Sequence, residues 1–346
     1  MPLSERQEQI LKTIVETYVS TARPIGSHTV LSASGLPVSS ATVRNDVAVL
    51  EDEGYVRQFH TSGGRIPTDA GYRYYVERLM GPIPLTSSEA VTIRHQFHQA
   101  HTELQEWLKL AATIMAYRMH NVALITAPKA TEVRVRHLEL LATQPLVALL
   151  IVVLQDGAVL QEMMTLPEPR TQEDLSAIAD HLGTELRGLT ASGIETRAAV
   201  MPESVAAVAG LVSQLMRRGM AQHTQLYHAG LADMIRQPEF LGPRPGESMT
   251  MLNDRLRQMV EFLHHGIAVQ RLLAGLPQAS DVHIVIGSDM GADGLQDYSF
   301  VLGRYGQEDE SSGFLGIIGP TRMEYPRAVA LVRYMSELMT DLVQAY

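Results

Sequence analysis

SSATVRNDVAVLEDEGYVRQFHTSGGRIP, residues 39–67, is the stretch whose reading decides the fold. Ser39 and Ser40 stand where a helix N-cap belongs, and Gly54 follows three acidic residues where a helix can end in the left-handed region. Between them Val43, Val47 and Leu50 recur at i, i+4 and i+7 and make one apolar stripe. At about 100° per residue, Ala41, Asn45 and Ala48 fall on the opposite side, with Thr42 and Arg44 flanking. Such a helix buries one face and turns small, hydrogen-bonding groups outward. After Gly54 the period changes to two. Residues 55–59 read as a strand, Thr61-Ser62-Gly63-Gly64 as a tight turn, and Arg65-Ile66-Pro67 as the return strand. A short helix followed by a basic-tipped hairpin is the pattern of a winged helix-turn-helix. There the helix enters the major groove of DNA and the hairpin lies on the backbone or in the minor groove.

Working outward, Ser4-Glu5-Arg6-Gln7 fits a capping box for a helix with Ile10, Leu11, Ile14, Val15, Tyr18 and Val19 on one face. Thr21-Ala22-Arg23-Pro24-Ile25-Gly26 breaks it, Ser27 is placed to cap a short second helix, and Gly35 stops that helix. Thr68 caps a helix reaching about residue 80, and its Tyr72, Tyr75, Val76 and Leu79 can return to the same core. Tyr72, Tyr74 and Tyr75 read as packing residues, because base-stacking platforms usually sit on sheets. Residues 1–80 are therefore expected to form the winged-helix DNA-binding domain.

Gly81-Pro82-Ile83-Pro84 reads as a linker. Ile93, Phe97, Ala100, Leu104, Leu108, Ala111, Met115 and Met119 keep a three/four spacing, so 81–120 is expected to be this linker and one long connecting helix. His95, His98 and His101 fan around that helix and do not make a metal site. Strands are expected over 122–126 and 133–142, with a hairpin of 146–154 and 158–166 about Asp156-Gly157. Residues 146–154 are apolar on both faces, which predicts a central strand covered on both sides. A helix over 171–183 follows, 201–277 is mainly helical, and strands resume at 283–286, 297–305 and 314–318 before a closing helix over 325–345. Sheet segments before and after a helical block predict one α/β domain, in parts 121–200 and 278–346, interrupted by an insertion over 201–277.

Composition bounds the function. A chain of 346 residues that is 45% hydrophobic and 19% charged is an ordered protein of two or three domains. The longest apolar run, 146–154, is far short of the roughly 20 residues a membrane helix needs. The N-terminus lacks an apolar signal core, so a cytoplasmic protein with no membrane partner is expected. Cysteine is absent, which excludes disulfides and thiol catalysis. The net charge of −10 argues against a coat of phosphate contacts. The first 80 residues alone carry one more carboxylate than cation, so DNA binding has to rest on Arg44, Arg57, Arg65 and Arg73 gathering locally. The glycine-rich run 287–294 lacks the Lys-Ser/Thr of a P-loop, and no Gly-x-Ser-x-Gly occurs. No cofactor, metal or catalytic residue is expected, and the chain is not read as an enzyme.

The 39–46 stretch, Gly54-Tyr55, and HTSGGRIPTDAGYRYYV at 60–76 together closely resemble the HrcA family of heat-inducible transcription repressors. The likeness extends to Arg6-Gln7, Pro24-Ile25-Gly26-Ser27, Gln237-Pro238-Glu239-Phe240 and Gly319-Pro320-Thr321-Arg322-Met323-Glu324-Tyr325, so it spans the chain. His28 departs from the family's common lysine, Gly64 from alanine, and Asp289-Met290 from Glu-Asn. The resemblance implies an α+β multidomain protein: an N-terminal winged helix-turn-helix and a GAF-like α/β domain with an inserted, mainly helical dimerising domain at 201–277. It implies repression of chaperone operons by a homodimer on an inverted-repeat operator called CIRCE, released on heat stress and kept active by the GroEL chaperonin. The expected DNA-binding residues are Ser39, Ser40, Ala41, Thr42, Arg44, Asn45, Thr61, Ser62 and Arg65. Asn45 and Thr42 suit base edges, Ala41 a thymine methyl, and Arg44 a phosphate or guanine. Ser39, Ser40 and the helix N-terminus suit phosphate. Thr61, Ser62 and Arg65 are expected at the hairpin tip on the backbone, with Arg65 able to reach the minor groove. A second reading stays open: a small-molecule-responsive winged-helix regulator whose central domain binds an effector.

Overall fold

In a computed structural model that describes residues 3–59, 63–100, 103–130, 133–155, 157–222, 225–237, 240, 248–264, 282–290, 295–307 and 311–345, the chain opens with three helices, α1 (Glu5–Thr21), α2 (Ser27–Ser34) and α3 (Ser40–Asp52). The expected capping box starts α1, where Ser4 and Gln7 bond reciprocally. Gly26, not Ser27, is the N-cap of α2, and no side chain bonds there. Ile10, Leu11, Ile14, Val43 and Leu50 are fully buried, so the apolar stripes of α1 and α3 form one core. Burying each contributes roughly 1.5–3 kcal/mol relative to exposure. Gly54 takes φ +79 and turns the chain into β1 (Val56–Gln58). That strand pairs antiparallel with β2 (Arg65–Pro67). Ile25 exchanges two backbone bonds of 2.8 Å with Arg65, which ties the hairpin to the turn after α1. A Cβ on Gly64 would stand 2.6 Å from the Pro24 and Ile25 carbonyl carbons, so the chains meet this closely only because residue 64 has no side chain. Thr68 caps α4 (Asp69–Tyr74), which runs on into a π-helical stretch, Tyr75–Leu79.

The single connecting helix expected within 81–120 is two helices, α5 (Ser87–Gln99) and α6 (Leu104–Met119). Ala100 and Glu103 both have extended backbone. The apolar spacing continues across the break because Ile93, Phe97, Leu108 and Met115 all face the same core. Periodicity reports that shared face and says nothing about backbone continuity.

The body follows with β3 (Val122–Thr126), β4 (Lys129–Ala130), β5 (Val135–Gln144), β6 (Val147–Leu154) and β7 (Val159–Thr165), then α7 (Gln172–Leu186), α8 (Ala191–Ala198) and α9 (Glu203–Gln222). After these come β8 (Leu226–Ala229), α10 (Leu231–Ile235), α11 (Met249–His264), β9 (Val282–Ile286), β10 (Tyr298–Gln307), β11 (Ser311–Pro320) and α12 (Tyr325–Ala345). Two body sheets form among the described residues. The larger is ordered β8-β3-β11-β10-β9 with β4 beside β11, and the smaller is β5-β6-β7.

This grouping differs from the expected boundaries. Val135, Leu150 and Val152 form a core of their own with Leu175 and Leu182 of α7 and Val212 and Met216 of α9. The chain leaves the large sheet after β4 and rejoins it at β8, beside β3. The inserted unit is therefore 133–222 and includes three strands, not the mainly helical 201–277. Helix α11, expected inside the insertion, packs on the large sheet instead, with Phe262 edge-on to Phe300 at 5.5 Å. Residues 265–281 lie outside the described residues. Local pattern marks a strand but not the sheet that takes it.

Strand β6 is central, but only one of its faces is covered. Ala148, Leu150, Val152 and Leu154 are buried, whereas Val147, Leu149, Ile151 and Val153 are half-buried. On that open face Leu149 lies between Leu141 and Met163 in register, and Val153 lies opposite Val159.

The N-terminal helices are continuous with the body. Their core runs into that of α5, α6 and α12. The rings of Tyr72 and Tyr325 stand 5.9 Å apart. Arg322 donates to the Val19 carbonyl, and Arg73 pairs with Asp289.

Candidate nucleic-acid interface

Helix α3 is seated from below and open above. Val43, Val47 and Leu50 anchor it in the N-terminal core, while Ala41, Arg44, Asn45 and Ala48 are exposed and Ser40 and Thr42 half-buried. Exposed Ser39 is the N-cap: its Oγ accepts from the Thr42 N–H at 3.2 Å and lies 3.0 Å from the Thr42 hydroxyl. The face expected to carry Ser39, Ser40, Ala41, Thr42, Arg44 and Asn45 is thus one surface around the first two turns.

An ion pair buried only on its carboxylate side fixes that helix to α1. Arg6 donates from Nε to Asp46 Oδ2 at 2.7 Å and from Nη2 to Oδ1 at 3.1 Å. The Asp46 side chain is only 7% exposed. Asp46 raises the pKa of the Arg6 guanidinium, first by the hydrogen bond and then by its charge. Sequence reasoning missed Asp46. The signal was there: it falls three residues after Val43 and four before Leu50, on the buried stripe, where a carboxylate requires a cation.

Among the arginines expected to gather, Arg44 and Arg57 are exposed and have no ion-pair partner among the described residues. The other two are engaged. Arg65 is not at the hairpin tip; it lies in β2 opposite Gln58, and its Nε and Nη2 contact Glu51 Oε2 at 3.2 and 2.8 Å. Arg73 points to the body, where Asp289 takes it. Its position in α4, with no local signal for a distant partner, explains why the sequence placed it with the hairpin. Thr61 and Ser62 lie outside the described residues.

The tyrosines after the hairpin pack as read. Tyr72 and Tyr75 are buried, and Tyr55 meets Tyr74 edge-on at 5.2 Å. The Tyr74 hydroxyl donates to Glu8 at 2.5 Å, and burial together with that bond pushes it up to about 12. Among the described residues no group of three or more His, Asp or Glu could hold a metal ion, and no helix is long and apolar enough to cross a membrane.

These features define a class: a mixed α+β chain whose leading helices hold an exposed polar helix face beside a hairpin, joined to a body that carries an inserted unit. The comparisons with known proteins narrow it. Residues 105–329 match the family model described as HrcA protein C terminal domain. A protein of Chloroflexus aurantiacus named heat-inducible transcription repressor HrcA is 40% identical over 350 residues, covering 99% of this chain and 94% of its own. One of the same name from Thermomicrobium roseum is 40% identical over 342 residues, covering 99% and 95%. The chain belongs to the HrcA family, a family of transcription repressors and not of enzymes. A crystal structure titled only as a hypothetical protein matches with a TM-score of 0.57 at 22% identity, over 99% of this chain and 98% of its own, a likeness of fold alone.

Proposed function

We propose that this chain represses heat-shock genes by binding an inverted-repeat operator of the CIRCE type as a homodimer, through an N-terminal winged helix carried on a GAF-like body. One observation carries the reading: the polar face of α3 is solvent-exposed while Val43, Val47, Leu50 and the Asp46–Arg6 pair hold its other side. Asn45 is suited to a bidentate contact with adenine, Thr42 to a second base edge, and Ala41 to a thymine methyl. Ser39, Ser40 and the N-terminus of α3 suit phosphate. Arg44 takes a phosphate or guanine, and Thr61, Ser62 and Arg65 the flanking backbone.

A twofold dimer reads two half-sites separated by about one helical turn or a multiple of it. The open face of β5-β6-β7 supports such pairing. Leu141, Leu149 and Met163 are adjacent across it, and Val153 faces Val159. Met163 is 54% exposed and Val159 50%, so a second copy would remove substantial apolar area from water. Dimer stability depends on protomer concentration, so a marginally stable dimer is the simplest switch. The GroEL chaperonin as the factor that keeps the repressor active rests on the resemblance to the family.

The test is a gel shift on an inverted-repeat duplex, with one half-site scrambled as control. Tight binding to the intact repeat and loss on the scrambled one is expected; equal binding to both overturns the proposal. The effector-responsive reading is favoured by one observation, a cavity of about 720 Å³ between α1, residues 81–86 and the start of α12, lined by Val19, Tyr75, Ile83, Met323 and Ala330. It lies at the junction of the DNA-binding helices with the body, a common place for ligands. A metabolite that raises the unfolding temperature and changes operator affinity would favour that reading.

A further inference from the structure

Arg65 is held at both ends of its side chain. Its backbone is fixed by the paired 2.8 Å bonds to Ile25, at a point where glycine at 64 lets the two segments touch. Its guanidinium is fixed by Glu51, near the C-terminal end of α3, through Nε and Nη2 on one carboxylate oxygen. That leaves the Nη1 edge without a partner among the described residues, and both side chains are 29% exposed, so the pair is open to solvent on one side. Arginine loses much rotamer freedom when it binds a phosphate from a free surface; one already held in place loses less.

We propose that Glu51 is a positioning residue for DNA binding: it holds Arg65 so that the free edge of the guanidinium meets a backbone phosphate beside the α3 contact. The proposal rests on the DNA-binding reading above. It makes Glu51, an acidic residue, favourable to binding a polyanion, where simple charge repulsion gives the opposite sign. It also differs from a merely structural pair, which would bolt the hairpin to α3 and affect stability alone.

The experiment titrates the full chain by fluorescence anisotropy against an inverted-repeat duplex and a random-sequence duplex over a range of salt. Glu51→Ala, Glu51→Gln, Arg65→Ala and the double alanine variant are compared, with unfolding midpoints measured alongside. If Glu51 positions Arg65, Glu51→Ala and Arg65→Ala each weaken both complexes by about tenfold and reduce the salt slope by about one. The double variant then binds no worse than either single one, because both remove the same contact. Glu51→Gln, whose amide oxygen still accepts from Nε, restores most of the affinity. Equal or tighter binding by Glu51→Ala, or losses that add in the double variant, overturns the proposal while leaving the DNA-binding reading intact. Wild-type protein that ignores both duplexes overturns the two together.

Discussion

Arg6 and Asp46 meet edge to edge, two nitrogens on two oxygens at 2.7 and 3.1 Å, and the carboxylate is the more deeply buried partner. The consequence is asymmetric. Arg6→Met leaves Asp46 buried without its cation, whereas Asp46→Leu strands only an Arg6 side chain that is 46% exposed and can turn to water. Arg6→Met should lower the unfolding midpoint by roughly 5 °C and Asp46→Leu by less. Calorimetry of the two variants checks the order, and a larger loss for Asp46→Leu would contradict it.

Exposed Asn45 contributes little to the fold and, on the proposed function, a great deal to sequence reading. Asn45→Ala should cost about 1–3 kcal/mol on the inverted repeat and little on random DNA. Anisotropy titrations at one salt concentration decide it: equal loss on both duplexes would move Asn45 out of the reading set and into the backbone contacts.

Gly71 sits in α4 where the helix crosses the chain leaving α3. A Cβ there would stand 2.1 Å from the Tyr55 carbonyl oxygen, which is backbone and cannot move alone. Gly71→Ala should therefore destabilise by about 3 kcal/mol, the scale of an overpacked core. Gly81→Ala, with nothing within 4 Å, serves as the control. It should stay within about 0.5 kcal/mol of wild type. Urea titration of both variants gives the comparison.

If the open face of β5-β6-β7 is where two copies meet, a charge at its centre should separate them. Leu149→Glu or Met163→Glu should raise the dimer dissociation constant by at least about tenfold. Circular dichroism should be unchanged, because neither side chain is in the buried core of the inserted unit. Sedimentation at several concentrations reads the result, and a dimer of unchanged strength in both variants would place the interface elsewhere.

The ends and faces of α1 and α3, the hairpin of β1 and β2, and the exposure of Ala41, Arg44 and Asn45 were all legible in the residues themselves. Caps, left-handed glycines and apolar period act over a few residues, so the local chain states them. The break between α5 and α6 was not legible, because helices facing one core share one spacing. Nor was the extent of the inserted unit: β3 finds β8 across the whole of 133–222, and a strand's own pattern carries no address for its partner. The same reason separates the arginines. Arg44 has no ion-pair partner among the described residues because its helix face is exposed, which sequence reveals. Arg65 answers to Glu51 and Arg73 to Asp289, and those pairings exist only once the chain has folded.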